Sequence, residues 1–296
     1  MANATNVKKL KTMYLYDWFN YAFIGLITLS FLYPLILNLS ISLSDGNDPL
    51  ARITLLPMGF NLESYRFLLA DGRVFRYYFN SVVYSTGRTF FHLLFTSLMA
   101  FPFIIADFRG KTFLNIFMLI TMFFGGGLIP YFFVVRAMGL VDSPWVMMIP
   151  GTVSAFQVII FRTFFQNIPA ELRESAYVDG SGHWRVLFQI MMPVSKALLA
   201  TFGLFSIVGV WNDWFTPMLF LRRGELMPIQ IFLRRLLILM DFRDAENVDV
   251  QMMFNLVTSR TIRSAAVMIT IAPVLCVYPF LQKHFTKGVM IGSIKG

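Results

Sequence analysis

The stretch IPAELRESAYVDGSGHWRVLFQIMMP, from Ile168 to Pro193, is polar, although long apolar runs lie on both sides of it. Its charged side chains would be costly to bury in hydrocarbon, so we expect it to face water. Pro169 suits the first position of a helix, and the acidic residues after it favour the same helix start. Gly180 and Gly182 then interrupt the helical pattern. The members of the next apolar helix face are Trp184, Leu187, Phe188 and Met191. The sequence therefore predicts two short helices joined by a glycine turn, which is a shape suited to docking.

The composition identifies the class of protein. Of the 296 residues, 57% are hydrophobic, only 14% are charged, and 33 are Phe, which is far outside the range of soluble domains. We therefore predict an all-α integral membrane protein. The single cysteine, Cys276, excludes a disulfide framework. A net charge of +9 is explained by basic cytoplasmic loops rather than by nucleic-acid binding, because no soluble segment carries a basic stripe with interleaved aromatic residues.

Apolar runs long enough to cross a bilayer as helices recur along the chain. We predict one transmembrane domain over 1–296, with six spans at about 19–43, 79–106, 112–134, 144–161, 194–221 and 264–281. The first run is longer than the apolar core of a cleaved signal peptide, which favours an uncleaved span. Gly125 to Gly127 interrupt the third span, as a hinge or as a place of close helix packing. We expect this break to face the interior of the helix bundle, because unwound backbone is not tolerated against lipid.

Lysine positions predict the orientation of the spans. With six spans, all eight lysines fall on one side of the membrane: Lys8, Lys9, Lys11, Lys111, Lys196, Lys283, Lys287 and Lys295. Cytoplasmic loops are enriched in basic residues. We therefore place both termini and the loop 162–193 in the cytoplasm, and the loops 44–78 and 222–263 outside.

Signatures of catalysis are missing from the sequence. Gly110 and Lys111 resemble the end of a phosphate-binding loop, but Ile105 stands where that motif needs a glycine. The three histidines lie far apart, and His183 next to Trp184 fits a surface residue better than a proton relay. We predict that the chain has no catalytic residue, binds no cofactor or metal, and lacks a nucleotide site of its own.

Two charges fall inside predicted spans. Arg88 and Asp213 would each lie roughly 12–14 Å below the outer surface, at about 1.5 Å per helical residue. Charges at this depth face the bundle interior and find partners, so one prediction is a structural ion pair between them. The other is a sugar passage, since aromatic faces beside polar groups suit both the ring faces and the hydroxyls of a sugar. The residues of this predicted passage are Trp211, Asn212, Asp213 and Trp214.

The polar stretch also resembles a known motif, the EAA loop of ABC importer permeases. Glu174, Ser175 and Ala176 are followed after three residues by Gly180, and after nine more by Ile190, with Pro193 closing the pattern. The resemblance implies that this loop is a coupling helix, which seats in a cleft of an ATP-binding subunit and transmits its closure to the membrane helices. The residues that it assigns to this coupling are Glu174, Ser175, Ala176, Asp179, Gly180 and Pro193.

Two further stretches resemble the carbohydrate-uptake branch, which includes MalG-like and LplC-like permeases. These stretches are Trp211 to Phe215 in the fifth span and the C-terminal GVMIGSIKG. The resemblance implies a MalG-like permease fold and oligosaccharide import, with an alginate-fragment permease as one candidate. Arginine-rich outer loops would tolerate an acidic sugar. It also implies that a C-terminal tail reaches between the ATPase subunits, through Ser293, Lys295 and Gly296.

The partners implied by this resemblance are a second, homologous permease subunit, two ATP-binding cassette subunits that hold ATP and Mg, an extracytoplasmic solute-binding protein and the lipid of the inner membrane. An ion-coupled secondary transporter remains an alternative, because it too can have six spans and buried charge. A membrane-embedded transferase or hydrolase would need clustered acids, bases or metal ligands, and none is evident in the sequence.

Overall fold

The computed structural model describes residues 2–45, 54–70, 72–105, 107–245 and 260–276. These residues form helices, turns and irregular connections, and none of them is in a strand. The observed architecture agrees with the prediction of an all-α protein. The predicted tail residues Ser293, Lys295 and Gly296 lie outside the described residues.

The helices are short apart from two. Their bounds are α1 Ala2–Ser42, α2 Glu63–Ala70, α3 Arg73–Ala100, α4 Lys111–Phe123, α5 Leu128–Ala137, α6 Trp145–Met148, α7 Ala155–Gln166, α8 Glu171–Val178, α9 His183–Val186, α10 Met192–Val194, α11 Lys196–Trp211, α12 Phe215–Phe220, α13 Ile229–Ala245 and α14 over 260–276. Two segments are long and apolar enough to cross a membrane alone, Tyr16–Ser42 and Arg73–Ile104. A third candidate combines His183–Val194 with Lys196–Trp211, which are bent by 81° at Ser195.

The chain divides into two compact units. The first contains α1, α2 and the described residues between Leu236 and Thr270. None of the apolar window of α1 is buried. Its C-terminal end is held by polar contacts, because the hydroxyls of Ser42 and Tyr65 lie 2.8 Å apart. A second hydroxyl pair, Ser64 with Thr261, joins the chain after α1 to α14 at 2.8 Å.

The second unit is organised around α3. A 3₁₀ turn, Phe101–Ile104, extends α3 at its C-terminal end. α3 packs along α11, and a Cβ atom on Gly203 of α11 would come within 3.6 Å of Leu93 and 3.8 Å of Thr89. The Thr89 hydroxyl donates to the hydroxyl of Ser206 at 3.0 Å. The two helices are therefore held together by apolar contact and by a hydrogen bond.

Two apolar clusters stabilise this unit. One gathers residues of α3, α7 and the segment after α8, including the fully buried Phe161, Phe165 and Met191. The other joins the N-terminal part of α3 to α6 and α12, with Val74, Val146 and Phe220 among its buried residues. Burying side chains of this size contributes roughly 1.5–3 kcal/mol each when water is the alternative.

A turn at Asp142 ties α5 to the end of α12. Asp142 has a positive φ of 59°, and its carboxylate accepts hydrogen bonds from the backbone N–H groups of Arg223 and Arg222, each at 2.9 Å. These bonds, together with the Arg223 guanidinium, hold the pKa of Asp142 below its ordinary value. The connection after α12 is thereby positioned by a carboxylate that stays ionised at neutral pH.

Breaks interrupt the apolar runs of this unit. The predicted interruption of the third run lies between Phe123 and Leu128, but Gly125 to Gly127 are exposed rather than packed inside this chain. None of the described helices covers them. Further breaks, at 149–154 and 212–214, divide stretches that the sequence presented as continuous apolar runs. The first contains Pro150 and Gly151, and Gly151 has a φ of +69°.

Candidate functional site

A cavity of about 400 Å³ opens in the second unit, where these two breaks face α3. Its polar lining combines side chains from α3, α7, α11 and the connection before α12. The most prominent lining residues are Arg88, Gln157, Ser206, Asn212, Asp213 and Trp214. The size is sufficient for a small ligand, and the mixture of charged, amide, hydroxyl and aromatic groups suits one with many polar substituents.

Arg88 is held in this cavity by backbone carbonyl groups. Its guanidinium donates to the carbonyl oxygen of Gly151 at 2.9 Å and to that of Met147 at 3.3 Å. A Cβ atom on Gly151 would lie 3.2 Å from the Arg88 Nη2. Gly151 thus permits both the left-handed backbone and the close approach of the guanidinium. Because the carbonyl partners are neutral, they position the charge without cancelling it.

The predicted ion pair between Arg88 and Asp213 is not formed. No nitrogen of Arg88 lies within 4.0 Å of a carboxylate oxygen of Asp213. Asp213 instead caps α12, since its Oδ1 accepts the backbone N–H groups of Phe215 and Thr216 at 3.0 Å each. Each charge binds backbone groups that a helix break has freed. Both residues face the cavity, as charges at this depth are expected to do.

The aromatic residues of the predicted passage behave differently from each other. Trp211 is only 4% exposed and packs on Tyr78, with ring centroids 5.9 Å apart, so it belongs to the core and does not line the cavity. Trp214 does line it, and the guanidinium of Arg234 lies 3.7 Å from the centre of its ring. Asn212 also lines the cavity and accepts a hydrogen bond from Gln230.

Other residues of this site were missed by the sequence reasoning. Gln157 and Ser206 reach the cavity from separate elements, and His92 lies one helical turn after Arg88 on α3. His92 is buried, and its Nδ1 lies 2.6 Å from the carbonyl oxygen of Thr152. Residues four apart share a helix face, so the spacing of Arg88 and His92 was a sequence signal that both line one cavity. No such signal connected Gln157 or Ser206 to them.

The polar stretch that begins at Ile168 folds as a helix and a glycine turn, as predicted. α8 ends at Val178, and Gly180 follows with a φ of +79°. The N–H of Gly180 donates to the carbonyl of Tyr177 at 3.0 Å, and the N–H of Ser181 donates to that of Ala176 at 2.9 Å. This pair of bonds is the Schellman motif, which needs a residue in the left-handed region at the Gly180 position.

α8 has one exposed face and one face against its own chain. The exposed face consists of Glu171, Leu172, Glu174, Ser175, Tyr177 and Val178. Ala176 is 8% exposed and belongs to the apolar cluster that contains Phe165 and Leu187. Its small side chain lets α8 lie close to the rest of its own chain. Asp179 and Gly180 are exposed in the turn.

The second helix departs from its predicted face. Leu187 and Met191 are buried, whereas Trp184 is 69% exposed and stacks on the exposed Phe188. The buried face consists of Val186, Leu187 and Met191, and a π-helical turn runs over Leu187–Met191.

One hydrogen bond closes the turn between α8 and α9. The Tyr177 hydroxyl lies 2.9 Å from the Nδ1 of His183. Burial raises the pKa of Tyr177, so its hydroxyl stays protonated at neutral pH. His183 therefore has a structural role, because its contact with Tyr177 holds the turn of the loop closed.

Residues 79–291 match the model of a protein family described as the binding-protein-dependent transport system inner membrane component. The chain belongs to this family. It is 38% identical to Protein LplC of Bacillus subtilis (strain 168), over 82% of this chain and 81% of that protein. It is 34% identical to the polygalacturonan/rhamnogalacturonan transport system permease protein YtcP of the same organism, over 95% and 99% of the two chains.

A solved structure has the same fold. The chain superposes with a TM-score of 0.81 and 29% identity on a crystal structure of a bacterial ABC transporter involved in the import of the acidic polysaccharide alginate, over 92% of this chain and 96% of that one. The resemblance to ABC importer permeases is confirmed, and the chain is a transport component of such an importer. Nothing in these similarities supports the ion-coupled alternative.

Gly180 offers a test of the turn after α8. The change Gly180→Ala places a Cβ in the left-handed region at a cost of roughly 1–2 kcal/mol, although no neighbouring atom lies within 4 Å. We expect ATP-driven uptake by membrane vesicles to fall about fivefold or more. The matched control is Gly182→Ala, because Gly182 has a φ of −76° and equally open surroundings. Equal uptake by the two variants would show that the turn is not needed.

Proposed function

We propose that this chain is one of two homologous membrane subunits of an ATP-driven importer whose cargo is an acidic oligosaccharide. Membership of the family supports the assignment as an importer subunit. The lining of the cavity supports the acidic oligosaccharide as cargo. The cargo assignment rests mainly on the environment of Arg88. Its guanidinium faces the cavity and donates hydrogen bonds to two neutral carbonyl groups. Its positive charge remains available to a carboxylate.

The other lining groups complete a site for such a ligand. Asn212, Gln157 and Ser206 supply groups that can bind sugar hydroxyls, and Trp214 supplies an aromatic face. Asp213 uses Oδ1 to cap α12, and Arg234 against Trp214 adds a second positive charge beside the cavity. Two similar proteins support this cargo, because YtcP is named as a polygalacturonan/rhamnogalacturonan permease and the structural neighbour is involved in the import of the acidic polysaccharide alginate.

The coupling surface is proposed to be the exposed face of α8. Glu174 and Ser175 would contact an ATP-binding subunit, while Asp179 and Gly180 would maintain the turn and Pro193 the bend into the next span. ATP and Mg would be bound by two partner subunits rather than by this chain. The tail with Ser293, Lys295 and Gly296 would reach between those subunits, as the resemblance implies.

The transmembrane topology predicted from the sequence fits the role of an importer subunit. Six spans over a single domain, 1–296, would place both termini and the loop 162–193 in the cytoplasm. The loops 44–78 and 222–263 would then receive a solute-binding protein outside the inner membrane. The cavity would open alternately to each side as the ATPase subunits close and separate.

Co-purification and uptake assays, in which ATP and the ion gradient are removed in turn, test the proposal. The chain, expressed with its neighbouring subunits and tagged, should co-purify with an ATP-binding subunit. In proteoliposomes with the binding protein, oligogalacturonate and alginate oligomers should be taken up when ATP is inside, and an ionophore should not stop this.

A neutral maltooligosaccharide should be taken up at least about tenfold more slowly, since a charged hydrogen bond is worth about 1.5–3 kcal/mol. Uptake that survives ATP removal but collapses with the ionophore would overturn the importer assignment, and equal uptake of the neutral sugar would overturn the acidic cargo.

A further inference from the structure

Arg173 lies on the face of α8 that turns toward its own chain. Its Nη1 donates to the carbonyl oxygen of Ile104 at 2.9 Å. Ile104 is the last residue of the 3₁₀ turn that extends α3. The last carbonyl groups of a helix have no partner within the helix and carry a partial negative charge, which a guanidinium satisfies well. Arg173 therefore caps the C-terminal end of α3 from another element.

This bond has no equivalent in the described part of the chain. The other side-chain hydrogen bonds of α8 remain within its own loop, from Ser175 to Leu172 and from Tyr177 to His183. The Nε of Arg173 is buried and has no hydrogen-bond partner among the residues that the structure describes. An unpartnered buried donor costs roughly 1–3 kcal/mol, so stability alone is a poor explanation for an arginine at this position.

The bond connects α8 to the cavity through a rigid element. Arg73–Ile104 is one long helix, and Arg88 lies sixteen residues before Ile104, which is roughly 24 Å along the axis. α3 is also joined to α11 through the Thr89 hydroxyl and Ser206, and Ser206 lines the cavity. A displacement of Ile104 would therefore move the cavity residues on both α3 and α11.

We propose that Arg173 is a tether through which movement of α8 is transmitted to α3, so that it couples ATP hydrolysis to the opening of the cavity. Arg173 is a positioning residue, because it acts on Arg88 and Ser206 through α3. The inference rests on the proposed role of α8 as the coupling helix.

The test compares Arg173→Met with Arg173→Lys in the complete importer, purified with its partner subunits and reconstituted in proteoliposomes. The quantity measured is the number of cargo molecules transported per ATP hydrolysed. In Arg173→Met the ATPase subunits should remain bound and active, while this ratio falls about fivefold or more. Arg173→Lys should restore the ratio to within about twofold, because the ammonium group can still donate to the carbonyl.

Arg185→Met is the matched control. Arg185 belongs to the same loop and is exposed, and within the described part of the chain its side chain donates only to Gln189, one turn further along. This variant should keep the parental ratio. A fall as large as that of Arg173→Met would show a general loss of basic charge in the loop and would overturn the tether.

A second measurement requires no cargo and so separates the tether from the cargo assignment. In a Cys276→Ser background, Gly209→Cys places a thiol at the cavity, where a Cβ meets no atom within 4 Å. The rate of thiol labelling by a polar reagent should change severalfold when ATP is added, and Arg173→Met should abolish this change. A parental response in Arg173→Met would overturn the proposal, as would loss of the ATPase subunits from the complex.

Discussion

Arg88→Met is expected to lower uptake of an acidic oligosaccharide by about ten- to a hundredfold. The variant removes a charged hydrogen-bond donor that is worth about 1.5–3 kcal/mol to a bound carboxylate. Methionine keeps much of the apolar volume and leaves the cavity in place. Initial uptake rates in proteoliposomes, with cargo delivered by the binding protein, measure the effect.

Arg88 also holds two backbone carbonyls, so its structural contribution must be separated from cargo recognition. Its donation to Met147 and Gly151 is partly retained in Arg88→Lys, which keeps the charge as well. We expect Arg88→Lys to recover at least part of the uptake. The melting temperature of the purified complex identifies a variant that has only lost stability. A stable Arg88→Met complex with parental uptake of the acidic sugar would contradict the role of Arg88.

Gly151→Ala is expected to reduce the same uptake at least about tenfold. Gly151 has a φ of +69°, so any side chain there costs roughly 1–2 kcal/mol. The new Cβ would in addition lie 3.2 Å from the Arg88 Nη2, so the guanidinium would have to shift by a few tenths of an ångström. The substitution thus combines backbone strain with displacement of the charge that faces the cavity.

Gly139→Ala separates these two effects. Gly139 has nearly the same backbone conformation, with a φ of +70°, but a Cβ there would meet no atom within 4 Å. Its thermal unfolding should shift about as much as that of Gly151→Ala, whereas uptake should fall far less. Equal losses of uptake in the two variants would mean that backbone strain, and not the position of Arg88, limits transport.

The loop at Ile168 to Pro193 was predictable because its determinants act over a few residues. Acidic residues after Pro169 start a helix, and Gly180 ends it through bonds that span only five positions. Helical spacing defined which residues of α8 share a face, but it could not show that Ala176 lies against the apolar cluster of its own chain. The π-helical turn over Leu187–Met191 carries no recognisable sequence signal.

The cavity was only partly predictable. Asp213 and Arg88 were identified because ionisable residues are rare in apolar runs, and the structure places both at one cavity. Their direct pairing was wrong, since the breaks at 149–154 and 212–214 offer each charge a backbone partner nearby. Pro150 beside Gly151 was a usable signal for the first break. Gln157 and Ser206 could not be found, because they converge only through the packing of separate helices.

The exposed glycines between α4 and α5 have a consequence for the life of the protein in the cell. The N–H groups of Gly125, Gly126 and Gly127 have no hydrogen-bond partner among the described residues. Each would cost several kcal/mol against lipid. In the six-span topology proposed above, this surface would lie inside the bilayer, so we expect a chain synthesised without its partner subunits to be degraded faster than one that assembles with them.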